Sequence, residues 1–156
     1  MRKYEVERSQ AGFTMLEILV SIVILAIGLL GIAGMQLNNL RYSSLSASRA
    51  QASLLAEQMA ERIRSNPGVD YSQVSSGTAT NCYTASCTQT QRRDFDITEM
   101  SQIASDSVRG GLASGTLTVT AASGGYTVLI GWNERAGFNG GAASQAAQFQ
   151  YFVRPN

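Results

Sequence analysis

Residues 10–20 read Gln10-Ala11-Gly12-Phe13-Thr14-Met15-Leu16-Glu17-Ile18-Leu19-Val20, and one of them is out of keeping with its neighbours. Glu17 stands four residues after Phe13, at the mouth of an apolar run that continues to Met35. From Ile18 to Met35 there are eighteen residues without a charge and with a single hydroxyl, Ser21. Counted from Phe13 the run has twenty-three residues, interrupted by Thr14 and Glu17. As an α-helix it would be about 35 Å long, enough to cross a hydrocarbon core of about 30 Å. The core helix of a soluble protein needs a polar face, and this segment has none. A membrane-inserted helix is expected.

Three accounts of the segment compete. A removable secretory signal would use Gly31-Ile32-Ala33 as a small-x-small cleavage site, but the apolar stretch is long for that purpose and begins beside a glutamate. A plain signal anchor explains the hydrophobicity and leaves Glu17 as an uncompensated cost, because a carboxylate near lipid is expensive unless paired or interfacial. Cleavage after Gly12 would create a new α-amino group on Phe13, four residues from Glu17.

The third account is carried by a resemblance. The stretch Gly12-Phe13-Thr14-Met15-Leu16-Glu17 resembles the class III signal of type IV pilins and pseudopilins. It implies a membrane peptidase, prepilin peptidase, that cuts after Gly12 and N-methylates Phe13. Residues 1–12 would be a charged cytoplasmic leader, with Arg2, Lys3 and Arg8 held inside by the positive-inside bias. In an assembled filament the apolar segments pack against one another, and Glu17 would pair with the amino terminus of a neighbouring subunit. Such a pair would set register, and removing one partner would cost several kcal/mol. The alternative for Glu17 is a side chain that merely snorkels to the interface. Gly28, Gly31 and Gly34 recur every three residues; they suit either close helix contact in lipid or local loosening outside it.

Helical character does not stop at Met35. Leu45, Ser48, Ala52, Leu55, Ala56, Met59, Ala60 and Ile63 recur at three- and four-residue steps, with Arg49, Gln51, Gln58, Glu61 and Arg62 opposite. Asn66-Pro67-Gly68 then breaks the pattern. One helix over residues 13–65 is expected, with 13–35 in the membrane or filament core and 36–65 laying its apolar stripe on a head formed by 66–156.

Within the head, residues 69–95 are polar and read as irregular. Asp96-Ile97-Thr98-Glu99 has the form of a capping box that opens a short helix, with Ile97, Met100, Ile103, Ala104 and Val108 inward and Gly110-Gly111 at its end. Residues 116–121 and 126–132 read as a hairpin around Ser123-Gly124-Gly125, residues 133–147 as loose, and 148–153 as a closing strand whose alternation Tyr151-Phe152-Val153 disturbs. The fold class is therefore α+β: a long N-terminal helix packed on a small antiparallel sheet. Cys82 and Cys87 form a C-x4-C pair in a Ser/Thr-rich stretch. The reading favours a local disulfide, worth about 2 kcal/mol and consistent with export, over free thiols. The cysteine pair, the short helix and Gly125-Tyr126-Thr127-Val128-Leu129-Ile130-Gly131-Trp132-Asn133-Glu134 resemble the minor pilin usually called PilV.

Composition excludes several functions. The 156 residues carry a net charge of +1 and no histidine. Two thiolates without histidine do not make a zinc site, and Asp94, Asp96, Glu99 and Asp106 lack the spacing of a calcium loop; they read as caps and solvated surface. Trp132 reads as a strand-end aromatic of the head. No metal or cofactor is expected. No convergent catalytic set can be nominated, so an enzyme is not expected. Without a basic stripe, direct nucleic-acid binding is not expected either. The resemblance implies an inner-membrane, single-pass subunit with a periplasmic head, later part of a surface pilus. Its partners would be prepilin peptidase, other minor pilins, the major pilin, the inner-membrane assembly platform and, before assembly, membrane lipid. A minor pseudopilin of a type II secretion system shares the N-terminal logic and is the alternative.

Overall fold

The computed structural model describes residues 12–73, 79–135 and 144–155. The leader expected over 1–12 thus lies outside the described residues except for Gly12. So do residues 74–78 and 136–143, which belong to the stretches expected to be irregular. The chain divides into two compact units, at Arg41 and Tyr42.

In the first unit Gly12, Phe13 and Thr14 are non-helical and the helix α1 (Met15–Ser65) begins at Met15. Thr14 caps it: the Glu17 backbone N–H donates to the Thr14 carbonyl at 3.1 Å and to Thr14 Oγ1 at 3.3 Å. A hydroxyl in that position satisfies one of the orphan donors of the first turn. From there to Leu40 the helix exposes its apolar side chains on every face, Leu16 and Leu30 among them. Among the described residues of the unit that surface has no partner, the condition expected of a segment whose solvent is lipid or other helices.

In the second unit α1 becomes one-sided. Ala52, Leu55, Ala56, Met59, Ala60 and Ile63 are buried, at the three- and four-residue spacing that puts them on one stripe. Leu45 and Ser48, at the head of that stripe, are half-buried. The helix stops before Pro67, and Gly68 takes φ 86°, a left-handed conformation that suits glycine.

The second helix, α2 (Gln89–Ser105), starts seven residues before the expected Asp96. Its cap is Thr88, whose Oγ1 accepts from the Gln91 N–H at 3.3 Å while Gln91 Oε1 accepts from the Thr88 N–H at 2.9 Å. This is a capping box with the same spacing as Asp96–Glu99. The carboxylates at 96 and 99 are unavailable for capping because they are engaged with α1. Ile97, Met100 and Ala104 are buried and Ile103 partly so, as the periodicity predicts. Val108 is not: the helix has already ended, and Val108 sits 93% exposed in a 3-10 turn over Ser107–Arg109. Asp106 makes that turn, its Oδ1 accepting from the Val108 N–H at 2.9 Å.

The chain then passes against the end of α2. Leu112 N–H donates to the Ala104 carbonyl at 2.9 Å. A Cβ on Gly115 would lie 1.9 Å from that same carbonyl oxygen, so only glycine fits. Three antiparallel strands complete the head, β1 (Thr116–Ala122), β2 (Gly125–Arg135) and β3 (Ser144–Val153), in the order β1-β2-β3. Gly124, at φ 76°, turns the first hairpin. The register aligns Leu117, Ile130 and Phe149 across the sheet, then Val119, Val128 and Tyr151. These rows share one face and form the core with α1 and α2.

The third strand is longer than expected. Residues 133–135 and 144–147 are paired, Trp132 opposite Ala147 and Glu134 opposite Gln145. Alanine and glutamine carry little strand preference, but the ladder is built from backbone groups and continues once the register is set. Tyr151-Phe152-Val153 does alternate: Val153 is buried, Tyr151 packs against the core, and Phe152 turns outward, 45% exposed, beneath the Arg154 guanidinium. Trp132 is buried in the core.

Candidate processing and assembly segment

Gly12, Phe13 and Glu17 lie together at the start of the first unit because Thr14 starts the helix immediately after Phe13. Among the described residues, a Cβ built on Gly12 would meet nothing within 4 Å. The described residues of this unit therefore do not require glycine at position 12. Phe13 is 81% exposed. Glu17, in the first helical turn, is placed where a negative charge complements the helix dipole. Its side chain is exposed and borders a shallow groove on the helix surface with Phe13, Ile18, Ser21, Ile22 and Leu25. The Ser21 hydroxyl donates to the Glu17 carbonyl at 2.7 Å, so it turns inward onto the backbone. That bond removes the one hydroxyl of the apolar run from its surroundings.

The head contains a polar cluster that has almost no signature in the sequence. Periodicity alone puts Arg62 on an exposed face, and Asp96 and Glu99 at caps and surface; the fold brings all three together. Arg62 pairs with Asp96 at 2.9 Å and with Glu99 at 2.6 Å. Tyr71, fully buried, donates its hydroxyl to Asp96 Oδ2 at 3.1 Å and accepts from Asn66 Nδ2 at 3.1 Å. Asn66 also donates to the Gln89 carbonyl at 2.8 Å, joining the end of α1 to the start of α2. The only sequence cue is the three-residue step from Asp96 to Glu99, which puts both carboxylates on one helix face. Their partner, 34 residues away from Asp96, has no local signature.

The electrostatics come from these contacts. Burial works against the Arg62 charge, but the hydrogen bonds and charges of Glu99, then of Asp96, outweigh it and hold its pKa above the usual arginine value. Burial likewise opposes ionisation of Glu99; the hydrogen bonds from Tyr83 and Arg62 and the Arg62 charge prevail and set its carboxyl below the usual range. Burial pushes the Tyr71 phenol up to about 12. Cys82 and Cys87 are joined in a disulfide. Tyr83, within that loop, donates to Glu99 Oε1 at 2.7 Å. Among the described residues no three His, Cys, Asp or Glu side chains gather as a metal site would require. The cluster binds two helices together.

By length and composition α1 is able to cross a membrane, and the second unit is a small α+β head. The prokaryotic N-terminal methylation motif matches residues 8–33, and the family of type IV pilin Tt1218 matches residues 34–98. Neither the curated proteins nor the solved structures yield a significant match. The two matched regions are contiguous and span the whole of α1, the disulfide loop and the first part of α2. The chain is a class III signal pilin. It is thus a pilin or pseudopilin, a structural subunit that is itself a substrate of prepilin peptidase and assembles with other pilins.

Proposed function

We propose that this chain is a minor pilin of the PilV type, which joins a complex of minor pilins that primes type IV pilus assembly. In this reading residues 1–12 are removed and Phe13 is methylated in the inner membrane. Residues 13–35 span the bilayer, 36–65 continue the helix, and 66–156 form the periplasmic head. The observation that carries the proposal is the unpartnered apolar surface of α1 with Glu17 at its entrance and Gly12 just before it.

No described residue lies within 4 Å of a Cβ built on Gly12. A requirement for glycine there comes from outside the chain, as it would if a peptidase must bring its catalytic groups against the backbone of the Gly12–Phe13 bond. Cleavage leaves an ammonium group on Phe13. Within a filament the carboxylate of Glu17 meets such a group on a neighbouring subunit, and the apolar flanks of the two helices exclude water from the pair. A buried pair of this kind contributes most to register, because misalignment strands both charges. The head's resemblance to PilV, in the short disulfide loop and the Gly125–Glu134 strand, favours a minor pilin over the pseudopilin of a secretion system.

Mass spectrometry of the N-terminal peptide tests the proposal, run separately on sheared surface filaments and on inner membrane. A peptide beginning at N-methyl-Phe13 in the sheared fraction is expected. The same peptide confined to cell-associated material would favour the pseudopilin. An N-terminus at Gly34, or an uncut Met1 in peptidase-competent cells, would overturn the processing scheme and the role given to Glu17.

A further inference from the structure

Tyr83 lies inside the loop closed by Cys82 and Cys87. Its side chain is 73% exposed, yet it makes two directed contacts, and both land on α2. The ring meets Phe95 edge-on, with 5.1 Å between centroids. The phenol donates to Glu99 Oε1 at 2.7 Å. Phe95 and Glu99 are four residues apart and present one face of the helix. The other oxygen of Glu99 pairs with Arg62 at 2.6 Å. A continuous run of contacts thus leads from the disulfide loop, through α2, into the last turn of α1.

The loop's own hydrogen bonds are local and centre on Asn81. Asn81 Oδ1 accepts from the Tyr83 N–H at 2.9 Å, and the Asn81 carbonyl accepts from the Ala85 N–H at 3.2 Å. That carbonyl also accepts from the Thr84 N–H and hydroxyl, each at 3.4 Å. Bonds of this local kind add little by themselves. The cross-link restricts the backbone on both sides of Tyr83, which lowers the entropy lost when an exposed side chain is held in one place.

We propose that the disulfide is energetically coupled to the α1–α2 clamp and that Tyr83 is the coupling residue. Oxidation seats Tyr83 on Glu99, and Glu99 then holds Arg62. Closing the bond takes two protons and two electrons from the thiols of Cys82 and Cys87; a donor disulfide accepts the electrons and leaves as a dithiol. The reduced chain keeps its fold and has a looser last turn in α1. Coupling is reciprocal, so the clamp must stabilise the disulfide by the same factor. This inference rests on the head alone and stands whether the subunit belongs to a pilus or a pseudopilus.

The test is amide exchange over residues 62–66 of the full chain in detergent micelles, before and after reduction with a soluble phosphine. Reduction should speed exchange by about five-fold, the factor that one net hydrogen bond represents. Oxidised Tyr83→Phe, a conservative change at an exposed site, should exchange at nearly the faster rate, and reduction should add little to it. Equal acceleration in both proteins would overturn the proposal, as would no acceleration in the wild type. As a second measurement, titration against a dithiothreitol series should show the disulfide of Glu99→Leu, which removes the acceptor of the Tyr83 hydroxyl, to be more easily reduced, by a similar factor. An unchanged midpoint would also overturn it.

Discussion

Arg62, in the last turn of α1, holds Glu99 of α2 at 2.6 Å and Asp96, one turn earlier on the same helix, at 2.9 Å. One guanidinium therefore joins the two helices. Both contacts come from Nη1, a single guanidinium nitrogen placed between the two carboxylates. The Asp96 side chain is only 4% exposed, and this contact and the Tyr71 hydroxyl are polar partners that it meets there.

Arg62→Met should therefore destabilise the head by about 3 kcal/mol, since it strands a buried carboxylate. Chemical denaturation of the full chain in detergent measures this. The double variant Arg62→Met with Asp96→Asn should recover part of the loss. A loss below about 1 kcal/mol, the size of an exposed ion pair, would show that Asp96 is solvated.

Acid should weaken the same joint. The Glu99 carboxyl titrates below its ordinary value, so its contribution is present above that value, near 4.3, and is lost as pH falls through the lower folded value. Asp70, held down first by its hydrogen bonds from Ser72, acts with the same sign. Melting curves should be flat from pH 7 to about 5 and fall below that. In Glu99→Gln the acid-side slope should be shallower.

Tyr71 should mark the alkaline limit. Its phenol is pushed up to about 12, chiefly by burial, so the folded state keeps it neutral where the unfolded chain would ionise it. Stability is retained below about 10, the ordinary tyrosine value, and is lost as pH rises from there towards 12. Ultraviolet titration should show a late tyrosine component towards pH 12, beyond the smaller upward shift that the hydrogen bond to Glu99 gives Tyr83. That late component should be missing from Tyr71→Phe.

Two glycines should separate folding from processing. Gly115→Ala puts a methyl group against the Ala104 carbonyl, and loss of several kcal/mol or failure to fold is expected. Gly12→Ala meets no described residue and should leave the melting temperature of the head unchanged while blocking cleavage. Immunoblotting for the leader-bearing form, alongside calorimetry, distinguishes the two outcomes.

Glu17→Gln should leave cleavage, membrane level and head stability as they are. Its effect should fall on assembly, with at least a ten-fold drop in the sheared-filament fraction relative to membrane, as expected for an unpaired ammonium in a dry interface. Equal recovery of variant and wild type in filaments would remove Glu17 from the assembly contact.

Legibility in the sequence depends on where each signal resides. The stripe Ala52, Leu55, Ala56, Met59, Ala60, Ile63 can be read because helical periodicity is a property of one segment, and every one of these residues is buried. The Asn66-Pro67-Gly68 stop is equally local. The start of α2 is ambiguous because two capping-box patterns of the same spacing lie eight residues apart, and Thr88 rather than the expected Asp96 caps. Val108 continues the apolar rhythm past the helix end that Asp106 imposes.

The membrane-length helix, its amphipathic continuation and the hairpin were legible in the amino-acid sequence alone. Each depends on composition or spacing within a short stretch, where propensity and hydrophobic period suffice. That Arg62, Asp96, Glu99 and Tyr71 form one partly buried cluster, that Tyr83 reaches it from the disulfide loop, and that β3 begins at Ser144 emerges only when the chain is folded. The physical reason is that a charge finds its partner, and an edge strand its register, across distances at which sequence spacing carries no information. Burial then makes those pairings obligatory, because an unpaired carboxylate or an open ladder inside the fold costs more than the chain's small net stability allows.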